Sequence, residues 1–400
     1  MSAQKNIWFV SQYAGGPGIG MQYRQFLFCK QLIQNGHQAS IISSSFSHLF
    51  DHLPEANHGR IEDVYYHWVQ TPHYKKSISI GRFWNMIVFA IKLIFLNDEE
   101  LGQPDLIIVS SPSMLPIATA LKWRRKYRCK VFFEVRDIWP LTLQELGGLS
   151  KYHPLVLFMR YFERLAYKKS DLVISLLPHA QEHFVQSGMS KEKFRYLPNG
   201  VEINNNNKTI HNEVIFPFPT DSFVVGYGGS IGKANALHYL IQAAHLLKNE
   251  KNIQFVIIGK GDELSRLKQE SNVLSNVHFL PAMEKSQFLK AMENFDLCYI
   301  GLEKESLFRF GVSPNKLFDY MMAKKPILYA IDSGNKPVDE AQCGWSVLPG
   351  DIKSIEQSIL TAYKMEKKLL NEMGMRGYEY VKQNHGYPVL CNHLISWLNE

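Results

Sequence analysis

The chain has 400 residues, 46% hydrophobic and 20% charged, which excludes a disordered protein and describes a globular one too long for a single core. Its net charge of +7 is uneven: residues 1–200 carry 23 Lys/Arg against 15 Asp/Glu, and the remainder 21 against 22. The first half therefore meets something anionic or presents a solvated basic face. Five cysteines (Cys29, Cys129, Cys298, Cys343, Cys391), scattered and never in a C-x-x-C pair, argue against a disulfide framework or zinc site and for a reducing compartment.

The first apolar run, 7–11, reads as a strand rather than a secretory leader, so the chain is expected in the cytoplasm. Gly15-Gly16-Pro17-Gly18-Ile19-Gly20 follows, then a helical period over 21–34 that ends at Asn35-Gly36-His37. Glycines there admit close approach of a phosphate or sugar to backbone N–H groups, and the helix start supplies a dipole. Gly16 and Gly18 fit G-x-G, but Met21 stands where a third glycine belongs and 43–47 holds no acidic ribose partner. No NAD-type cofactor is expected.

Further strands are expected at 39–43, 105–110, 130–135 and 171–175, with helices at 115–125 and 155–168. The run 83–96 (FWNMIVFAIKLIFL) would be about 21 Å long as a helix, short of a hydrocarbon core of roughly 30 Å. It either lies in a membrane interface, with Lys75, Lys76, Arg82 and Lys92 near headgroups, or covers the sheet. The basic run 122–130, with Trp123 and Tyr127, is either a binding patch for anionic lipid or pyrophosphate or a solvated helix end. Arg136 and Asp137 close a strand, where cleft residues belong. His179 and His183 read as surface residues and His37 as structural.

Leu197-Pro198-Asn199-Gly200, the polar run Asn204 to Asn207 and Phe216-Pro217-Phe218-Pro219 read as a linker. The α/β pattern then restarts, with strands at 223–227, 253–258, 277–280, 297–300 and 326–329. The expected domains are 1–200 and 201–386. A last helical segment, 387–400, is apolar enough to pack on a domain, the first being the candidate. Strands alternating with helices predict parallel sheets, with ligands beyond their carboxyl ends.

In the second half, Gly228-Gly229-Ser230-Ile231-Gly232-Lys233 follows the first strand, and Lys233 is placed to reach a diphosphate. Gly259-Lys260-Gly261-Asp262 closes the second strand and can frame a base or ribose. Ser313-Pro314-Asn315-Lys316-Leu317-Phe318-Asp319 compresses a helix start, a cation and a carboxylate into about one turn. Ser313 is expected as N-cap and Pro314 at the first helical position. Lys316 and the free N–H groups make an anion site, and Asp319 can accept from ribose hydroxyls.

These segments occur together and in order: a glycine loop after the first strand, an N-G-H helix end, Leu197-Pro198-Asn199-Gly200-Val201, and Ser313 to Met321 followed by Pro326. The whole chain resembles a retaining glycosyltransferase of family 4, with the GT-B fold of two Rossmann-like domains facing across a cleft. Glu134-Val135-Arg136-Asp137-Ile138-Trp139-Pro140 is similar to the signature of a fucosamine-transferase-like branch that builds bacterial surface polysaccharide. The resemblance implies a UDP-sugar co-substrate, no metal or other cofactor, and a lipid-diphosphate-linked acceptor at the inner face of a membrane, with no nucleic acid. It implies catalytic roles for Arg136, Asp137, Lys233 and Lys316, and donor contacts for Gly16, Gly18, Gly229, Ser230, Gly259, Gly261, Ser313, Pro314, Asn315 and Asp319. The chain departs from the family's Glu, seven residues, Glu pattern: with Asp319 second, Gly311 stands at the first position. Glu303 or Glu305 would have to substitute. Ser230 stands where an Arg is common. The rival readings are an epimerase or hydrolase of the same fold, and a non-catalytic protein binding anionic lipid or nucleic acid.

Overall fold

The computed structural model describes residues 3–76, 79–97, 99–203 and 216–400; the run Asn204 to Asn207 lies outside them. The chain divides into two compact units, Met1–Asn199 with Tyr387–Glu400, and Gly200–Gly386.

The first unit holds eight strands: β1 (Asn6–Val10), β2 (Gln38–Ser44), β3 (His58–Ile61), β4 (Val64–Val69), β5 (Leu106–Ser110), β6 (Lys130–Val135), β7 (Leu172–Ser175) and β8 (Phe194–Tyr196). They form one sheet in the order β3-β4-β2-β1-β5-β6-β7-β8, parallel except for the β3–β4 hairpin. The second unit continues with β9 (Phe223–Gly228), β10 (Ile253–Ile258), β11 (Val277–Leu280), β12 (Leu297–Gly301), β13 (Ile327–Ala330) and β14 (Gly344–Val347). Its order is β11-β10-β9-β12-β13-β14, all parallel. Both sheets reverse direction beside their first strand, at β1/β5 and β9/β12. A doubly wound sheet opens its binding crevice at that point.

The strands are continuous apolar runs because helices cover both faces. β1, β5, β9, β10 and β12 are buried at every residue. The helix Tyr387–Asn399 belongs to the first unit's core: Leu390, Cys391 and Leu394 are buried with Phe9 and Phe28, and Tyr387 meets Phe28 edge-on at 5.1 Å. Lys130 Nζ donates to the Leu398 carbonyl at 2.8 Å.

Beneath that helix layer lies a buried ion pair. Glu134 on β6, 2% exposed, receives Arg24 Nε at 2.9 Å, Gln25 Nε2 at 3.2 Å and Ser110 Oγ at 2.7 Å. Arg24 also donates to the Leu197 and Pro198 carbonyls, where the chain leaves the first unit. Burial pushes the Glu134 carboxyl up, but Arg24, Arg136 and the Ser110 hydrogen bond outweigh it and hold the group below the usual carboxylate range. The helix Arg24–Gln34 thus starts three residues later than its apolar period suggests. Its first turn carries Arg24 against an internal carboxylate.

Breaking such a pair leaves a buried charge uncompensated. Glu134→Ala is expected to lower stability by about 3–5 kcal/mol, measured by denaturant unfolding at neutral pH. The depressed carboxyl contributes stability above its unfolded pKa and loses it as pH falls through its folded value. The difference between wild type and variant should therefore shrink in acid.

Candidate active site

In the second unit the site is built on backbone contact between two loops. Gly229 N–H donates to the Ile258 carbonyl at 3.0 Å, and Ile231 N–H to the Lys260 carbonyl at 2.9 Å. A Cβ on Gly259 would lie 1.9 Å from the Gly229 oxygen, and one on Gly261 2.2 Å from the Ile231 oxygen. Both glycines hold the loop after β9 against the loop after β10. Gly229 turns with φ 140° beneath a lysine: its missing Cβ would sit 3.4 Å from Lys316 Nζ.

Lys316 stands on the helix Asn315–Met322, its ammonium 4.5 Å from the centroid of the Tyr227 ring. Nζ donates to Tyr227 Oη at 2.7 Å and Asn235 Oδ1 at 2.6 Å. Both partners are neutral, and no carboxylate pairs with it among the described residues. Desolvation alone lowers its pKa to about 8. The side chain keeps some solvent contact, so the push acts on a group that an anion can still reach. The helix opens one residue later than expected. Pro314, extended at φ −76° and ψ 127°, is the cap residue itself with no side-chain cap bond, and Asn315 is the first helical residue.

Lys233 is exposed on the short turn Lys233–Asn235, beside the exposed Ser230. Asp319 is half-buried and pairs with Lys285 at 3.1 Å. At Gly311 the backbone takes φ 103° and ψ 170°, a conformation open essentially to glycine alone, so this turn is shaped without a side chain. Glu303 accepts from Tyr239 Oη at 3.2 Å and lies 3.8 Å from His238 Nδ1.

In the first unit, Ser111 gathers the end of β6: its Oγ accepts from the Arg136 N–H at 2.9 Å and donates to the Asp137 carbonyl at 3.3 Å. Arg136 Nη2 donates to Gln22 Oε1 at 2.6 Å. Desolvation raises the Asp137 carboxyl above its ordinary value, against the pull of Arg136 and Arg82. Its own side chain is exposed, which moderates the rise. Around the same strand ends, Arg82 Nε donates to Tyr13 Oη at 3.1 Å and its guanidinium lies over the Tyr13 and Trp139 rings. His48 Nδ1 bonds Tyr74 Oη at 2.7 Å. Gly16 lies under the Tyr66 hydroxyl, while Gly18 turns at φ 77° with open space around it.

Two family models match the chain in succession, Glycosyltransferase Family 4 over residues 20–205 and Glycosyl transferases group 1 over 222–365. The chain belongs to the family 4, group 1 glycosyltransferases. It is similar to WbjE of Pseudomonas aeruginosa, described as a probable glycosyltransferase, at 26% identity over 69% of each chain. It is also similar to WcaI of Escherichia coli, described as a putative colanic acid biosynthesis glycosyl transferase, at 23% over 61% of each. Its fold matches HepE of Anabaena, solved in complex with UDP-glucose, with a TM-score of 0.64 at 14% identity over 99% of this chain and 100% of that one. The fold is GT-B, and at that identity the likeness speaks for the fold alone.

Of the residues singled out in the glycosyltransferase from sequence, the structure brings Gly229 and Lys316 together, adds Asn235, which sequence reasoning missed, and joins Gly259 and Gly261 to them through backbone. It leaves Lys233 apart, without an ion-pair partner among the described residues. Tyr13, His48, Tyr74, Arg82 and Trp139 were missed as a group. The available signal was position, since Tyr13, His48 and Tyr74 each follow a strand's carboxyl end by a few residues. Within the basic run 122–130, Trp123 and Tyr127 pack edge-on against Trp8 and Arg124 pairs with Asp171 at 2.6 Å, while Lys122, Arg125, Lys126 and Arg128 are exposed. His37 accepts from the Lys5 N–H, a structural contact.

A lysine titrating near pH 8 binds a diphosphate only as its ammonium. Affinity for UDP is expected to be flat below that pH and to weaken by about tenfold per unit above it, followed by calorimetry from about pH 7 to about pH 9. Lys316→Met should remove the pH dependence and cost about tenfold or more at neutral pH.

Proposed function

We propose that this glycosyltransferase moves a sugar from a UDP-sugar to a lipid-diphosphate-linked sugar, with retention of configuration and without a metal, in bacterial surface-polysaccharide synthesis such as O-antigen or capsule. The donor sugar of this reading is an N-acetylated deoxyhexose such as N-acetylfucosamine, and the enzyme works in the cytoplasm at the inner membrane. The observation that carries it is Lys316, a cation held among neutral partners under the turn at Gly229. The complex of HepE with UDP-glucose and the colanic acid description of WcaI support the donor class and the pathway type.

The diphosphate would lie over the Gly229–Lys233 loop, met by Lys316, Lys233 and the first N–H groups of the helix Asn315–Met322. As the glycosidic bond breaks, negative charge grows on the leaving β-phosphate. Donors aimed at that oxygen stabilise the transition state more than the ground state. Asp319 would take the ribose hydroxyls, exchanging its contact with Lys285. No pair of carboxylates among the described residues supports a covalent intermediate, so front-face attack assisted by the departing phosphate fits best. Asp137 would engage the attacking hydroxyl of the acceptor.

Thermal shift against UDP, GDP and dTDP tests the donor. UDP at about a hundredfold over its Kd should stabilise the fold by about 2.7 kcal/mol. No response to any nucleotide would sink the reading, and donor turnover without acceptor would replace it with a hydrolase or epimerase. For Asp137, a Asp137→Asn enzyme that folds and binds UDP normally should lose about a hundredfold or more in kcat. In wild type, kcat should fall as pH drops through the raised Asp137 pKa, a limb lying above that of an ordinary aspartate. Near-wild-type turnover of Asp137→Asn would remove Asp137 from the mechanism.

A further inference from the structure

We propose that the outward faces of the helices Ile80–Leu93 and Pro154–Lys169 form one docking surface for an anionic lipid bilayer. The inference rests on the reading above only for which membrane is meant.

The first helix is apolar on two sides. Met86, Phe89, Ala90 and Leu93 pack inward. On the opposite side Ile80, Trp84, Ile87 and Ile91 recur at the helical period, and three of them are 88%, 55% and 48% exposed in the order Ile80, Trp84, Ile91. Phe95, just past the helix end, is 81% exposed and extends the stripe. A surface helix of a soluble domain is ordinarily polar on that side. The helix Pro154–Lys169 lies alongside, because Phe83 meets Phe158 edge-on at 5.8 Å. It adds Leu157, Phe158 and Tyr161 to the exposed apolar surface.

Charge selects the occupant. The ionisable residues of the two helices are Arg82, Lys92, Arg160, Arg164, Lys168 and Lys169, with Glu163 the sole acid. Glu163 is 3% exposed and hydrogen-bonded with Tyr167 inside the unit. Every charge these helices offer to solvent is therefore positive, and the exposed Lys75 and Lys76 precede them. A second copy of the chain would bring the same charges face to face. An anionic bilayer satisfies both features, taking the apolar stripe into its acyl boundary and the cations among its headgroups. No helix among the described residues is long and apolar enough to cross a membrane, so the helix lies in the interface plane. Arg82, on its first turn, also contacts Tyr13 and Trp139. Docking in this way brings the strand-end residues of the first unit to the headgroup level, where a lipid-borne acceptor presents its diphosphate.

The test uses the full chain and vesicles of equal parts phosphatidylglycerol and phosphatidylcholine, against phosphatidylcholine alone. Co-sedimentation should be about tenfold or more stronger with the anionic vesicles and should fall with added salt. Trp84→Asp with Ile91→Asp should weaken it by about tenfold or more. Charge reversal at Arg164, Lys168 and Lys169, all exposed, should weaken it by at least about fivefold per residue. Unchanged circular dichroism and melting temperature in each variant separate lost docking from lost fold. Absence of binding to anionic vesicles, equal binding to both compositions, or binding that survives both sets of changes would overturn the proposal. So would a concentration-dependent dimer that Trp84→Asp dissociates, which would make the face a self-contact. UDP melting shifts on the same samples keep the two readings apart, since vesicle binding needs no donor and donor binding needs no vesicle.

Discussion

The first unit depends on a carboxylate that barely meets water. Taking Glu134 and Arg24 out of solvent costs several kcal/mol per ion, and attraction alone does not restore it. What makes the burial tolerable is that both groups are saturated: Glu134 by a guanidinium, an amide and a hydroxyl, and Arg24 by the carboxylate and two carbonyls. Those donors come from the first helix and from β5, and the carbonyls from the segment leaving the unit. One ion pair thus fixes helix, sheet and chain exit together. It also fixes β6, the strand whose end carries Arg136 and Asp137, so the exposed acid is presented by a strand that cannot shift without exposing a charge.

The second unit solves the opposite problem with the same residue types. Lys316 is also shielded, yet neutral oxygens rather than a carboxylate hold it. An ammonium kept this way carries an unmet electrostatic demand, visible in its lowered pKa. Asp319, one helical turn on, does have a counter-ion in Lys285. The helix therefore presents a cation lacking an acid and an acid already balanced. That asymmetry is what an anionic ligand with neutral hydroxyls beyond it would find complementary.

Periodicity made the sheets legible because their strands are buried on both faces; 130–135, 253–258 and 277–280 coincide with β6, β10 and β11. The β3–β4 hairpin escaped because its turn uses Glu62 at φ 51° instead of glycine or asparagine, leaving no turn signature. The cap at Ser313 was misplaced by one residue because extended Pro314 serves in that position. The run 83–96 posed a choice between covering the sheet and lying in a membrane interface. One apolar stripe packs inward, and a second on the opposite side of the same helix is exposed, a division that apolar content alone does not reveal. The Tyr13–Arg82–Trp139 contacts stayed hidden for another reason: they join two loops and a helix far apart in sequence, which no local pattern encodes.

The departure at Gly311 is more than a missing carboxylate. With φ 103° and ψ 170°, a side chain there would cost about 1–3 kcal/mol in backbone strain. The turn is locked around that conformation: Gly311 N–H donates to the Phe308 carbonyl, and Asn335 brackets Val312 by accepting from its N–H at 2.8 Å and donating to its carbonyl at 3.0 Å. Glu303, upstream, is engaged by Tyr239 and lies near His238. A carboxylate at 311 would accept from two sugar hydroxyls at once, which suits a fully hydroxylated hexose. The turn supplies no such acceptor, and its N–H groups at Gly311 and Val312 are already taken by Phe308 and Asn335. Under the proposed reading, the hydroxyls of the donor sugar are then met by groups other than a side chain at 311.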